Sequence, residues 1–592
     1  MKHASFPLVA AVLLLAAGGP ARAASPSVSS VPGVPWPATD ALGRALPLAD
    51  EVGPPRADRF VGIFYFLWHN NRGGKCPYGD GPYDISRILA RDPTALTNAA
   101  SPYWGPIGQY HYWGEPLYGY YLSSDPWVLR RHAQLLADAG IDTLIFDTTN
   151  AITYRDTYLK LCEVFRAIRE AGGRTPQIAF MLNTRAGATA RKLYEELYQP
   201  HRFSELWFRW RGKPLMICDP KQADPELRRF FTLRRAHWPF TMVNTPYAWH
   251  WEAAYPQPYG YTDDPNVPEQ VNVSVAQNLR RRDGKVTNMS SGEARGRSFH
   301  EGRVETAPGA VNHGCNFAEQ WRRAFELDPP FVMVTGWNEW IAGRWGKPGG
   351  PLVFVDQFDE EYSRDIEPAR VGHGDNYYWQ LIANVRRYKG ASALPAAGPP
   401  RTLRVDGPFA QWADVKPWFT DHVGETHPRD FDGAGGTHYV NRTGRNDLWR
   451  FKVARDATHL FFLAETRAPL TPPTGTNWMW LLLDTDQDPA TGWRGFDFRI
   501  NGAPAADGTT SLERRTTDGH WAPVTRIPFR VEGTRLQLAV PRAALGLPPN
   551  TTAVALDFQW WDHAQKPDDP LDIYLSGDAA PEGRFRYRYQ GD

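Results

Sequence analysis

Cysteine is scarce: the 592 residues hold four, and Cys76, Cys162, Cys218 and Cys315 all lie in the first 315 positions. No pair of them has metal-ligand spacing, which excludes a zinc or iron–sulfur centre built on thiolates. Four thiols allow two disulfides in an oxidising compartment without fixing a pairing, and Cys218 inside PLMICD reads equally as a buried free thiol. Net charge is nearly absent as well, since 66 basic against 65 acidic side chains leave +1. That balance provides no global field for nucleic acid or an anionic membrane. Beyond the N-terminus no stretch approaches 18 apolar residues, so no membrane anchor is expected in the mature chain.

What the chain has in excess is aromatic surface: 24 Trp, 25 Tyr and 29 Phe make 13% of it. Indole faces stack on the apolar faces of pyranose rings, so carbohydrate grooves are one use for this tryptophan and a Trp-rich core is the other. At the N-terminus, Lys2 and His3 precede an apolar run from Leu8 to Ala17 and then Ala21-Arg22-Ala23. This is the pattern of a secretory signal peptide over 1–23, and it predicts export to the periplasm or the extracellular space. Residues 24–58, rich in Ser, Pro and Ala, read as a leader segment on the surface.

From Val61 a grammar of apolar run, loop and amphipathic helix repeats. VGIFYFLW (61–68), IDTLIFD (141–147), QIAFML (177–182), PLMICD (214–219), FTMVNT (240–245), QVNVSVAQ (270–277) and FVMVTG (331–336) read as strands, with YAWHW (247–251) a candidate eighth. DPWVLRRHAQLLADAG (125–140), residues 155–171 and FAEQWRRAFEL (317–327) have helical spacing. Alternation over this length predicts an α/β fold, a (β/α)8 TIM-type barrel over 59–390. The connection at 70–122 is far longer than usual and therefore a candidate functional loop. ASALPAAGPPR (391–401) reads as a linker between two units that come apart. Short runs without helical period then predict an all-β sandwich over 402–592.

The most informative stretch is FVMVTGWNEWIAGRW (331–345). A buried strand ends in Gly336-Trp337-Asn338-Glu339-Trp340, placing one carboxyl between two indoles with an amide beside it. A carboxyl held against aromatic surface is raised toward the range where it donates a proton at neutral pH. The run WNEW at a strand end resembles the WNEWxEG…IEP signature of glycoside hydrolase families 99 and 71, (β/α)8 enzymes acting on α-linked glycans. The second half stands displaced, as Asp365-Ile366-Glu367-Pro368 and then Gly372-His373-Gly374-Asp375, after an extra segment from Gly346 to Arg364. The resemblance implies that Glu339 is a catalytic carboxyl. It also implies a second glutamate three residues later, where this chain has Ala342.

Barrel enzymes carry their catalytic groups at the C-terminal ends of strands. That rule selects His69, Asp147, Asn150, Asn183, Asp219, Asn244 and Glu339. Glycoside cleavage needs two carboxyl groups. Glu339 is the first, and its partner is sought in the order Asp147, Asp356, Glu252. Sugar-binding candidates are His69, Asn150, Asn183, Trp249, Trp337, Asn338 and Trp340, with His313 and His373 in Gly-bearing loops. Arg297, Arg344 and Arg364 near the mouth hint at an anionic group. Glu367 reads either as catalytic or as a structural carboxylate, and Asp375 as a helix N-cap.

The C-terminal segment LLLDTDQDPATGWRGFDFRIN (481–501) resembles carbohydrate-binding module family 9. There Asp484, Asp486 and Asp488, with Asp497, form a candidate structural calcium site. No cofactor is expected for catalysis. The expected function is an exported glycoside hydrolase whose partner is a carbohydrate, neither nucleic acid nor membrane. A non-catalytic sugar-binding barrel and a polysaccharide lyase are the alternatives.

Overall fold

The computed structural model describes Met1 and residues 30–70, 74–241, 243–548 and 551–592; the expected signal peptide lies outside the described residues apart from Met1. Eight parallel strands follow one another: Phe60–Tyr65 (β1), Thr143–Asp147 (β2), Gln177–Met181 (β3), Lys213–Ile217 (β4), Thr232–His237 (β5), Ala248–His250 (β6), Gln270–Ser274 (β7) and Phe331–Thr335 (β8). Their order is β6-β5-β4-β3-β2-β1-β8-β7, a barrel closed everywhere except between β6 and β7. There the side-chain amide of Gln270 replaces the missing ladder. It donates to the His250 carbonyl (2.9 Å) and accepts from the His250 amide (2.8 Å). The helices Pro126–Asp138 (α1), Arg155–Glu170 (α2), Ala186–Leu193 (α3), Pro225–Phe230 (α4), Cys315–Leu327 (α5) and Asn376–Lys389 (α6) wrap the sheet, and none stands between β5 and β7.

The period of two along each strand divides the core. Val61, Ile63, Leu144, Phe146, Ile178, Phe180, Val332 and Val334 join the layer under the helices. The alternate residues Phe64, Ile145, Met181, Ile217, Trp249, Trp251, Phe331 and Met333 form a separate interior cluster. Gly62 occupies one of those inward positions because a Cβ there would meet the Phe331 ring at 2.7 Å and Ile145 at 2.9 Å. β5 differs from expectation. No described residue of 240–245 lies in a strand, Phe240 and Val243 are 62% and 68% exposed, and the polar run TLRRAH takes that place. Its inward Arg234 is buried against Glu269 (2.6 and 2.7 Å), which also accepts the indole N–H groups of Trp210 and Trp249. A paired charge inside the barrel hid this strand from a hydrophobic reading.

An eleven-stranded antiparallel sheet and the small hairpin Arg429–Asp432/His438–Asn441 build the C-terminal region. The long strand Trp521–Glu532 pairs with Thr509–Arg515 through its first part and with Arg535–Pro541 through its last, joining the two halves of the sandwich. This region packs directly on α1 of the barrel. Arg131 on α1 pairs with Glu425 (3.1 Å) and Glu582 (3.5 Å), His422 with Asp138 (3.0 Å), and Arg429 with Asp125, the N-cap of α1 (2.7 Å). The leader, expected on the surface, buries Trp36 between the two units, against Phe419 and Tyr587 (ring centroids 5.6 and 4.9 Å). All four cysteines are free thiols. Among the described residues no helix is long and apolar enough to cross a membrane.

Candidate active site

At the C-terminal ends of the strands the inward parity continues past the apolar interior. It delivers Trp68 after β1, Asp147 at the end of β2, Asn183 after β3, Trp238 after β5 and Trp251 after β6. Trp68 and Trp238 are half-buried and pack on the interior cluster. Trp238 lies 5.0 Å from Trp251 and donates its N–H to Asn183 Oδ1 (3.0 Å). Trp68 packs edge-on to Tyr110 of the long connection at 6.0 Å. These indoles, rather than those flanking Glu339, provide the aromatic lining.

Arg364 organises the charges. Its Nε donates to Glu339 Oε2 (3.0 Å), its Nη1 to Glu252 Oε2 (3.0 Å), and Nη2 lies 3.5 Å from Asp356 Oδ1. The guanidinium sits 4.8 Å over the Trp251 ring and is fully buried. Its placement depends on Gly336, whose φ is 104° and where a Cβ would stand 2.2 Å from the Arg364 carbonyl oxygen. No side chain fits there, so the returning chain lies directly on the turn that carries Glu339. Beyond that turn, Ile341–Trp345 pairs antiparallel with Tyr110–Tyr112 and with Val353–Phe354. This small sheet holds the long connection and the extra segment over one side of the mouth.

Three carboxyl groups around one guanidinium leave an excess of negative charge in a water-poor place. Burial pushes Glu339 well above the usual carboxyl range, and Arg364 offsets this only in part. Glu252, with Oε1 buried and unpartnered, is raised to about 7 by burial, again against the pull of Arg364. Asp147, 6% exposed, is raised by burial and by the negative charge of Asp356, while the amide and hydroxyl of Thr149 pull it down. Asp356 stands at the rim with its side chain 43% exposed. The arrangement can hold a proton on one carboxyl while a neighbour stays ionised, as acid–base cleavage requires.

Several expected contacts belong to the framework instead. Trp337 and Trp340 are fully buried, the first against His132 and Tyr378, the second stacked on Trp113 at 5.1 Å. Asn338 is also buried and clamps the backbone of Phe66, accepting its N–H at 2.8 Å and donating to its carbonyl at 3.2 Å. Trp249 points into the barrel interior. Arg297 is buried under Tyr377 and bonds Ser363 and the Asp365 carbonyl; Arg344 bonds the carbonyls of Ala99 and Gly105. His373 is fully buried, and His313 is exposed with its carbonyl accepting from Arg44. His69 is buried against Ser123 (3.1 Å) and pushed down to about 3 by burial, hence neutral. Asn150 is exposed and donates to Tyr154. Asp219 caps the turn at Lys221, and Asn244 donates to the Tyr259 carbonyl.

Glu367 is structural, held by His132 (2.9 Å), Tyr121 (2.8 Å) and Trp340 (2.5 Å). Asp375 makes no side-chain cap and instead binds Arg584 and Tyr574 of the C-terminal region. Ala342 packs in the apolar cluster with Trp104 and Phe354, so the place of the motif's second glutamate is dry core. In the C-terminal region Asp484, Asp486 and Asp497 bring one oxygen each within 4.8 Å of one another. Asp488 is not among them; it caps Ala490. In that group Asp484 already pairs with Arg586, and Asp497 accepts from Thr485.

No protein-family profile and no curated protein matches this chain. Among solved structures it is similar to the GH99 endo-alpha-mannosidase from Bacteroides thetaiotaomicron, at 15% identity and a TM-score of 0.34. One such structure is covered to 97% by 55% of this chain, another to 99% by 56%. A carbohydrate-binding module family 9 domain from Caldicellulosiruptor kristjanssonii is matched at 14% identity and a TM-score of 0.16, over 29% of this chain and 78% of that one. These are weak likenesses at the level of fold.

Proposed function

We propose that this protein is a glycoside hydrolase in which Glu339 donates the proton to the departing sugar oxygen and Asp147 is the partner carboxylate. The observation that carries the reading is the buried carboxyl pair Glu339 and Glu252 on the single guanidinium of Arg364, at the mouth of a barrel lined by Trp68, Trp238 and Trp251. Glu252 and Arg364 position and tune Glu339. Asp147 is preferred to Asp356 because strand parity aims it inward and burial holds it above the ordinary carboxyl range, whereas Asp356 stands half-exposed at the rim. The three arginines that hinted at an anionic substrate are all engaged by the protein's own groups. With carboxyls in excess at the mouth, a neutral glycan fits better than a uronate, which weakens the lyase reading.

The C-terminal region adds a second sugar-facing surface to the proposal. Trp493 stacks near Trp561 (6.2 Å, 21°) beside Arg494 and Asp40 in a cleft of about 420 Å³. A non-catalytic sugar-binding barrel is the second reading, favoured by Ala342 lying in apolar core where the motif has a glutamate. Incubation with a panel of neutral oligosaccharides and polysaccharides separates the readings. Hydrolysis releases reducing ends with no ultraviolet absorbance from an unsaturated product. Glu339→Gln should lose roughly 10²–10⁴-fold in rate, the contribution of positioned proton transfer, while sugar binding persists. Binding without reducing ends supports the second reading, and a mutant retaining more than about a tenth of the rate removes Glu339 from the role.

A further inference from the structure

A second concentration of buried acid lies far from the barrel mouth in sequence. Asp421 and Glu425 sit on the loop after the strand Phe419–Thr420, Asp578 lies on the strand Asp578–Ala580, and Glu582 follows it. Glu425 and Asp578 are each 2% exposed and Glu582 is 3% exposed. One oxygen each from Asp421, Glu425 and Asp578 falls within 4.8 Å of the others.

The partners of these groups are few. Arg131 of α1 takes Glu425 Oε1 at 3.1 Å and Glu582 Oε2 at 3.5 Å, and the Leu448 amide donates to Asp578 Oδ2 at 2.7 Å. Asp421 Oδ2, Glu425 Oε2, Asp578 Oδ1 and Glu582 Oε1 are buried and, among the described residues, receive no hydrogen bond from an N–H or hydroxyl donor. The nearby His422 is committed to Asp138. Four carboxylates, two of them ion-paired with Arg131 and with Arg130 bonding the Val423 carbonyl of the same loop, are strongly unfavourable in a buried interface unless something else neutralises them. Burial and mutual repulsion push Asp421, Glu425 and Asp578 well above the ordinary range.

We propose that Asp421, Glu425 and Asp578, with Glu582 beside them, bind a hard divalent cation of the calcium class at the joint between the C-terminal region and α1. Carboxylate oxygens are the ligands such a cation takes. At 2.3–2.6 Å from the ion they stand at most about 5 Å apart, which matches the observed span. The unpartnered oxygens are then ligands, and two of the surplus negative charges are cancelled. The cation also fixes the 421–425 loop and the 578–582 segment together, so that Glu425 and Glu582 both meet Arg131. The site is better suited to an ion than the aspartates of 484–488, where Asp484 already has an arginine.

Purified full-length protein is dialysed against metal-free buffer and its calcium counted by elemental analysis. Thermal unfolding is then followed with a calcium chelator, with calcium and with magnesium. The expected result is about one calcium per chain, lost to chelator, and an unfolding midpoint that falls by on the order of 5 °C and recovers with calcium. Asp578→Asn and Glu425→Gln should abolish the calcium response, and Asp486→Asn, which touches the other acidic turn, should leave it intact. If Asp578→Asn does not fold, Asp421→Asn at the edge of the cluster reads the same response. The proposal is overturned if the wild-type protein neither retains calcium nor responds to it. It also fails if the response survives Glu425→Gln and Asp421→Asn, or disappears with Asp486→Asn.

Discussion

Arg364 touches three carboxyl groups, so no one of them titrates alone. Glu252, raised to about 7, draws on the same guanidinium that Glu339 needs in order to ionise. Removing the charge at Glu252 leaves more of the Arg364 field for Glu339, and its proton then comes off at lower pH. In the proposed mechanism the proton on Glu339 is the catalytic one, so kcat falls on the alkaline side. Glu252→Gln should therefore move that alkaline limb to lower pH while the acid limb stays. A limb that does not move in a kcat–pH profile would separate Glu252 from the acid. Stability carries a matching sign. A carboxyl raised on folding contributes its stability below the ordinary carboxyl range and loses it as pH rises through the folded value. Through Glu252, the wild-type midpoint should thus decline as pH rises through about 7, and Glu252→Gln should flatten that decline.

The elements that place these residues differ in how plainly the sequence announces them. β1, β2, β3 and β8 are apolar runs buried on both faces, and their period places Asp147 at a strand end before any contact is known. β5 could not be read that way because its inward Arg234 is satisfied by Glu269, 35 positions later in the chain. The same limit hides the site's centre. Arg364 reads as one loop arginine among several until β6 brings Glu252 and β8 brings Glu339 to it. Conversely, the indoles of WNEW look sugar-facing in one dimension, yet they stand under a returning chain that only Gly336 admits. Gly336→Ala tests this. A methyl 2.2 Å from the Arg364 carbonyl must push the returning segment away, and the positive φ adds strain. Displacement of a positioning group by about 1 Å costs on the order of 100-fold in rate. The expected outcome is a folded protein with kcat reduced to that degree, and full activity with an unchanged midpoint would show that Arg364 does not depend on this approach.

At the scale of the whole chain, the segment 391–401 reports local composition, and what the two units share lies elsewhere. The joint buries side chains whose ion-pair partners come from the other side. Arg131 meets Glu425 and Glu582, Asp138 meets His422, Asp125 meets Arg429, and Asp375 meets Arg584 at 2.6 Å. Trp379 of α6 packs on Phe585 at 4.8 Å, and the leader's Trp36 lies between Phe419 and Tyr587. Breaking a buried pair by removing one partner costs about 3–5 kcal/mol, whereas a whole domain is stable by only about 5–15 kcal/mol. In the isolated barrel water can reach these groups and reduce the loss per pair, but five pairs and the exposed aromatics act together. Residues 25–395 produced alone should therefore be insoluble or lack fixed tertiary packing, seen as lost near-ultraviolet circular dichroism. Co-production with residues 396–592 as a separate chain should restore solubility, because the interface and not the covalent link does the stabilising. A soluble, cooperatively folding 25–395 fragment would mean that solvent satisfies α1 and α6 unaided, and that the two regions are joined more loosely than their contacts imply.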